Sequence, residues 1–223
     1  MDTKYGELLK DVAHILEKSA HYLDHTIRVY DLCKKIGKNY PINERVLDPA
    51  ALLHDVGRIK EDENITGTVC HAEESVKIAV PILIENNYSP KEISDISHCI
   101  LTHRYRTRER PETIESKILF DCDKLDILGA IGIMRGTMWF GKHGGRLSLP
   151  EFSIEDYIKT NLDANSGRIK NKDIHSIFYE FETKTKYIPD SLFTEEARDI
   201  ALARMEFMKN FIYELEREMK GII

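Results

Sequence analysis

The sequence predicts an all-α protein. Glycine and proline are sparse, 12 and 7 among 223 residues, so few positions force a break in helical backbone. Apolar residues recur at i, i+3, i+4 and i+7, the spacing that lines one face of a helix. No run alternates apolar and polar residues for long enough to specify a strand. The expected architecture is a single-domain helical bundle over residues 1–223.

Helices are expected near residues 5–18, 21–37, 43–57, 71–87, 90–103, 112–128, 153–163, 173–186 and 194–220, with ends set to within about 2–4 residues. Val29, Leu32, Cys33 and Ile36 make the inner face of the second. The third closes on the apolar run Ala50, Ala51, Leu52, Leu53, followed at once by His54–Asp55. His71 begins the fourth, ahead of Ile78 and Ile82. Ser89, Pro90 and Glu92 read as a capping box with proline at the first helical position, and Ile93, Ile96 and Ile100 continue that helix inward. Thr194, Glu195 and Glu196 place a cap and negative charge at the start of the last helix. Its stripe is Ala201, Met205, Met208, Ile212, Leu215 and Met219, and Gly221 stands where it should stop. Residues 129–145 hold six of the 12 glycines and the only tryptophan, Trp139. That segment suits a hinge, a lid or a close helix contact.

Hydrophobic residues at 42% and charged residues at 31% exclude a disordered chain. The longest uncharged apolar runs, 78–84 and 127–134, fall far short of the roughly 20 residues of a membrane helix. The start, MDTKYGELLKDVAH, shows no basic stretch leading into an apolar core. The four cysteines, Cys33, Cys70, Cys99 and Cys122, are scattered without a C-x-x-C pair. Reduced thiols in a cytoplasmic protein are the expectation. A net charge of −6 argues against a protein that wraps long nucleic acid, while small anions stay compatible with it.

His54–Asp55 is the most informative pair. Adjacent side chains on a helix point about 100° apart, so both reach one cation when the helix lies tangent to it. His25 lies one turn before Val29 on an apolar face, where an imidazole needs a partner. Asp123 interrupts the apolar stretch KILFDCDKLD, and burying a carboxylate there is costly unless a cation neutralises it. His103 extends the stripe of Ile93, Ile96 and Ile100, and His71 faces inward in the same way.

The ordered set His25, His54–Asp55, Asp123 resembles the H…HD…D signature of the HD-domain metal-dependent phosphohydrolases. It sits within HYLDHTIRVYDL at 21–32, DPAALLHDVGR at 48–58 and KILFDCDKLDILGAIGIMR at 117–135. The likeness covers residues 20–140 and continues loosely through HSIFYEFETK and the last helix. It implies an all-α fold with a metal-binding core at about 20–140 and a helical extension at about 150–223, in a small stand-alone branch of the superfamily. It also implies a divalent cation held by His25, His54, Asp55 and Asp123, with His71 and His103 at the rim or on a second ion. Asp121 is the alternative to Asp123, but the C-D-K-L context resembles the family's A-D-R-L and favours Asp123. Two imidazoles and two carboxylates suit Mn²⁺, Fe²⁺, Mg²⁺ or Zn²⁺.

Departures matter as well. The branch that hydrolyses guanosine tetraphosphate carries an acidic pair after the HD dipeptide, and the 5′-nucleotidase branch carries a glutamate. Arg58 and Ile59 stand there instead, so neither specific activity transfers. Asp126 is a candidate base or an outer acid. Arg104 and Arg106, in a run of four arginines over seven residues, are candidate phosphate ligands through their guanidinium forks. Lys124 and Arg135 have the same standing. The segment 136–143 approaches a P-loop, but it ends in His143 and follows no strand.

The expected function is hydrolysis of a nucleotide or another small phosphate ester or anhydride by a metal-activated water. The alternatives are a nuclease acting on single-stranded nucleic acid and a catalytically silent metal- or ligand-binding module. The methionine stripe of the last helix reads as core, with a homodimer contact as the other reading.

Overall fold

The computed structural model describes residues 5–16, 20–64, 68–104, 109–145, 147–164 and 167–222, with backbone only for 20–22. Its regular elements are helical, and the β-structure among the described residues is one isolated bridge, Leu162 with Ile169. The protein is all-α. The chain forms two compact units, Met1–Asp123 and Lys124–Ile223.

The first unit contains α1 (Gly6–Leu16), α2 (Ala20–Gly37), α3 (Glu44–Leu53), α4 (Arg58–Glu63), α5 (His71–Glu85) and α6 (Pro90–Thr102), and most of α7 (Ile114–Leu125). α3 is its centre, packed against α1, α2 and α6. Every residue from Val46 to Leu53 is buried, and each buried leucine or valine contributes about 1.5–3 kcal/mol. Asn43 caps α3 by accepting from the Arg45 amide at 3.0 Å. The capping box of α6 is present, with Ser89 and Glu92 each satisfying the other's backbone N–H. α5 stops where Asn87 takes φ 57°, and the amides of Asn87 and Tyr88 reach back to Ile84 and Leu83.

The third helix ends four residues before its expected end at 57. Its last carbonyls feed a tight turn, in which the amides of Val56 and Arg58 bond to Leu53 and Asp55. Gly57 makes that turn possible. A Cβ there would lie 2.4 Å from the Ser75 nitrogen and 2.6 Å from the His71 oxygen, both backbone atoms of α5. The Gly57 amide instead donates to buried Ser75 Oγ at 2.9 Å. Absence of a side chain thus seats the first turn of α5 directly on the His54–Asp55 turn.

The second unit holds α8 (Gly129–Lys142), α9 (Ile154–Asn161), α10 (Ile177–Thr183), a 3₁₀ turn at Thr185–Tyr187, α11 (Ile188–Ser191) and α12 (Glu195–Met219). The glycine-rich stretch is therefore largely a helix, α8. Close contact does occur at its first residue, where Gly129 has φ +70° and a Cβ would meet Arg204 Cγ of α12 at 3.0 Å. Ala201, Met205 and Met208 of α12 are buried, and Gly221 ends it at φ 69° with the Ile222 amide bonded to Arg217. Around His175 lies an aromatic cluster. Its Nδ1 shares a 2.5 Å hydrogen bond with the Tyr157 hydroxyl, and its Nε2 faces Glu180 at 3.2 Å. Tyr157 stacks on Tyr179 at 3.8 Å.

Candidate metal centre

Five elements of the first unit converge on one buried carboxylate. Asp55, in the turn after α3, is 1% exposed and turns its two oxygens in different directions. Oδ2 lies 3.6 Å from His25 Nε2 of α2 and 4.0 Å from His54 Nε2. Oδ1 lies 3.4 Å from His71 Nε2 of α5 and 3.6 Å from His103 Nε2 at the end of α6. His25 Nε2 is 3.2 Å from both His54 Nε2 and Asp123 Oδ1 of α7. On the other side His71 and His103 bring their Nε2 atoms to 3.2 Å. All four histidines are at least 97% buried.

The backbone decides which nitrogens face inward. His54 Nδ1 donates to the Ala51 carbonyl at 2.8 Å, and His103 Nδ1 donates to Ile100 at 2.6 Å, each one turn back on its own helix. His71 Nδ1 donates to Glu61 Oε2 at 2.5 Å. Neutral imidazoles fixed in this tautomer point bare Nε2 lone pairs at the centre. Burial pushes His54 down to about 3 and His71 to about 4, the latter helped by Arg58. Burial would raise the Asp55 carboxyl, but the Arg58 guanidinium beside it holds it well below the usual carboxylate range.

The result is a set of acceptors facing each other. Asp55 Oδ1 has no hydrogen-bond partner, although two imidazole lone pairs stand within 3.6 Å. An arrangement of that kind is costly when buried unless a cation sits among the donors. His25, His54 and Asp55 form one group able to hold a metal ion, and Asp55, His71 and His103 form another.

Around this centre lie residues that sequence reading placed differently or missed. Arg58 directs Nε toward Asp55 Oδ2 at 3.6 Å and Nη1 to Glu61 Oε2 at 2.9 Å. Arg104 donates to Glu61 Oε1 at 2.8 Å and to Cys70 Sγ at 3.1 Å. Glu61 was not among the expected residues. It is three residues beyond Arg58 on a six-residue helix without buried positions, and a charged i, i+3 pair was the only local hint. Asp121 is buried and Asp123 is the carboxylate beside His25. Arg106 lies outside the described residues. In the second unit, Lys124 is buried, and Arg135 donates to Asp126 Oδ2 at 2.6 Å, so those two candidates are bonded to each other.

The helices of the first unit bring His25, His54, Asp55 and Asp123 together in the H…HD…D order. Residues 22–128 match the HD domain family. It is similar to the protein YpgQ of Bacillus subtilis, 27% identical over 206 residues that make up 92% of this chain and 88% of YpgQ. The structure of an HD-superfamily hydrolase from Bacillus thuringiensis superposes with a TM-score of 0.69 at 26% identity, covering 97% of each chain. YpgQ in complex with ADP superposes with a TM-score of 0.67 at 26% identity, covering 96% of this chain and all of that one. No helix among the described residues is long and apolar enough to cross a membrane.

Proposed function

We propose that this protein is a divalent-metal-dependent phosphohydrolase whose substrate is a nucleotide or another small phosphate ester or anhydride. The observation that carries the reading is the orphaned Asp55 Oδ1 amid imidazole lone pairs. In this reading His25, His54, Asp55 and Asp123 hold one divalent cation, and Asp55, His71 and His103 hold a second. A bound cation supplies Lewis acidity, acidifying a water and polarising a phosphoryl oxygen.

The chain's own residues do the rest. Asp55 links the two groups of histidines, and the Nδ1 bonds to Ala51, Ile100 and Glu61 keep the ligand faces aligned. Arg58 and Arg104 put guanidiniums beside the carboxylates, where they can fork onto phosphate oxygens. The ADP complex of YpgQ supports a nucleotide ligand.

The test is a screen of nucleotides and generic phosphatase and phosphodiesterase substrates with Mn²⁺, Mg²⁺, Co²⁺ and Ni²⁺. Expected is turnover that collapses on chelation and returns with one of these ions. Turnover undiminished in metal-free protein refutes the mechanism. Cation binding with no turnover on any substrate favours a silent binding module instead.

A further inference from the structure

We propose that Glu61 is a positioning residue of the centre: it fixes His71 with Nε2 toward Asp55 and offsets the two arginines that would otherwise repel a cation there. The inference rests on the metal reading above and extends it to a residue outside the H…HD…D signature.

Three positively polarised groups end on this one carboxylate. His71 Nδ1 and Arg58 Nη1 share Oε2, at 2.5 and 2.9 Å, and Arg104 Nη2 takes Oε1 at 2.8 Å. The bond from His71 sets the tautomer, since a nitrogen that donates outward leaves the opposite one bare. Charge explains why a carboxylate, rather than a neutral acceptor, stands there. Arg58 Nη1 is only 2.9 Å from His71 Nδ1, so a guanidinium lies directly behind an imidazole that faces a cation site. Unopposed, that charge and Arg104 disfavour a divalent ion on the Asp55–His71–His103 side. Glu61 cancels part of it and anchors both guanidiniums in place.

The experiment titrates Mn²⁺ into the chelator-treated full chain by calorimetry, comparing wild type with Glu61→Gln and Glu61→Ala. Partners that orient metal ligands typically change affinity by about 10–100-fold. Gln keeps an acceptor for His71 and loses the charge, so about tenfold weakening is expected, growing toward a hundredfold for Ala. A residue that merely supports α4 would lower the melting temperature and leave the isotherm alone. In parallel, nitrogen-15 spectra of the wild type should show His71 protonated at Nδ1, a reading that needs no variant to fold. Unchanged Mn²⁺ isotherms in folded variants, or a His71 protonated at Nε2, overturn the role of Glu61 while the metal reading stands. Wild type that binds no Mn²⁺ overturns both.

Discussion

Replacing Asp55 with asparagine tests the centre without any knowledge of the substrate. Asp55 is the one residue whose two oxygens face both histidine groups, at 3.4–4.0 Å. Asparagine keeps its volume and removes its charge. A ligand bound only by the native state stabilises it by RT ln(1 + [L]/Kd), about 2.7 kcal/mol at one hundred times the Kd. If the substitution weakens binding by about a hundredfold, at the upper end for even an indirect partner, the same Mn²⁺ concentration yields only about 0.4 kcal/mol. The difference of about 2.3 kcal/mol corresponds to about 5–9 °C in melting temperature for a chain of this size. Thermal melts with Mn²⁺ and with chelator, taken on both proteins, give the increment for each. Comparing increments cancels any change in the metal-free state, including loss of the Arg58 contact at 3.6 Å. An Mn²⁺-dependent increment in Asp55→Asn equal to that of wild type would refute the reasoning.

Other outcomes follow from the same geometry. Gly57→Ala should cost at least about 1–3 kcal/mol in denaturant melts, because its Cβ meets backbone rather than a movable side chain; a neutral result would show that α5 can shift. Arg104→Ala should lower kcat/KM about ten- to a hundredfold with metal content intact, as loss of a charge-assisted phosphate contact requires, and unchanged kinetics would return Arg104 to a role with Glu61 and Cys70 alone. The Glu92 carboxyl is held down to about 2 from 4.5 by Arg45 and then by Ser89. A depressed folded-state value means that its stabilisation is present above 4.5 and lost as pH falls toward 2. Melting curves of Glu92→Gln and wild type should therefore differ at pH 7 and converge near pH 2, whereas a constant gap would contradict this origin.

What could be read from the chain was what repeats along it. His25 shares its face with Val29 and Ile36, and His103 with Ile96 and Ile100, all buried in the structure, because one helix carries both the core contact and the inward histidine. α8 escaped detection because its glycines suppress helix propensity, and packing against α12 overrides that preference. α4 escaped because it has no apolar face at all. The early end of α3 depends on Gly57 meeting the backbone of α5, eighteen positions from Ser75, and Glu61 depends on His71 of α5 and Arg104 just past α6 arriving from elsewhere in the chain. Contacts between distant segments leave no periodic mark.

Trp139 gives the second unit an optical signal of its own. It is the only tryptophan in the sequence, and its indole leans on His143 with ring centres 4.4 Å apart, beside Phe140 and the edge of His175. The first unit, with every histidine of the proposed metal centre, contains no indole. Emission excited at the red edge of the indole band therefore follows the melting of α8 and its neighbours, while Mn²⁺ calorimetry follows the other half of the chain. A chain with its one indole in one unit and the proposed cation ligands in the other lets the cooperativity between the two units be measured directly. Fluorescence and calorimetric transitions would coincide if the units unfold together and separate if they do not.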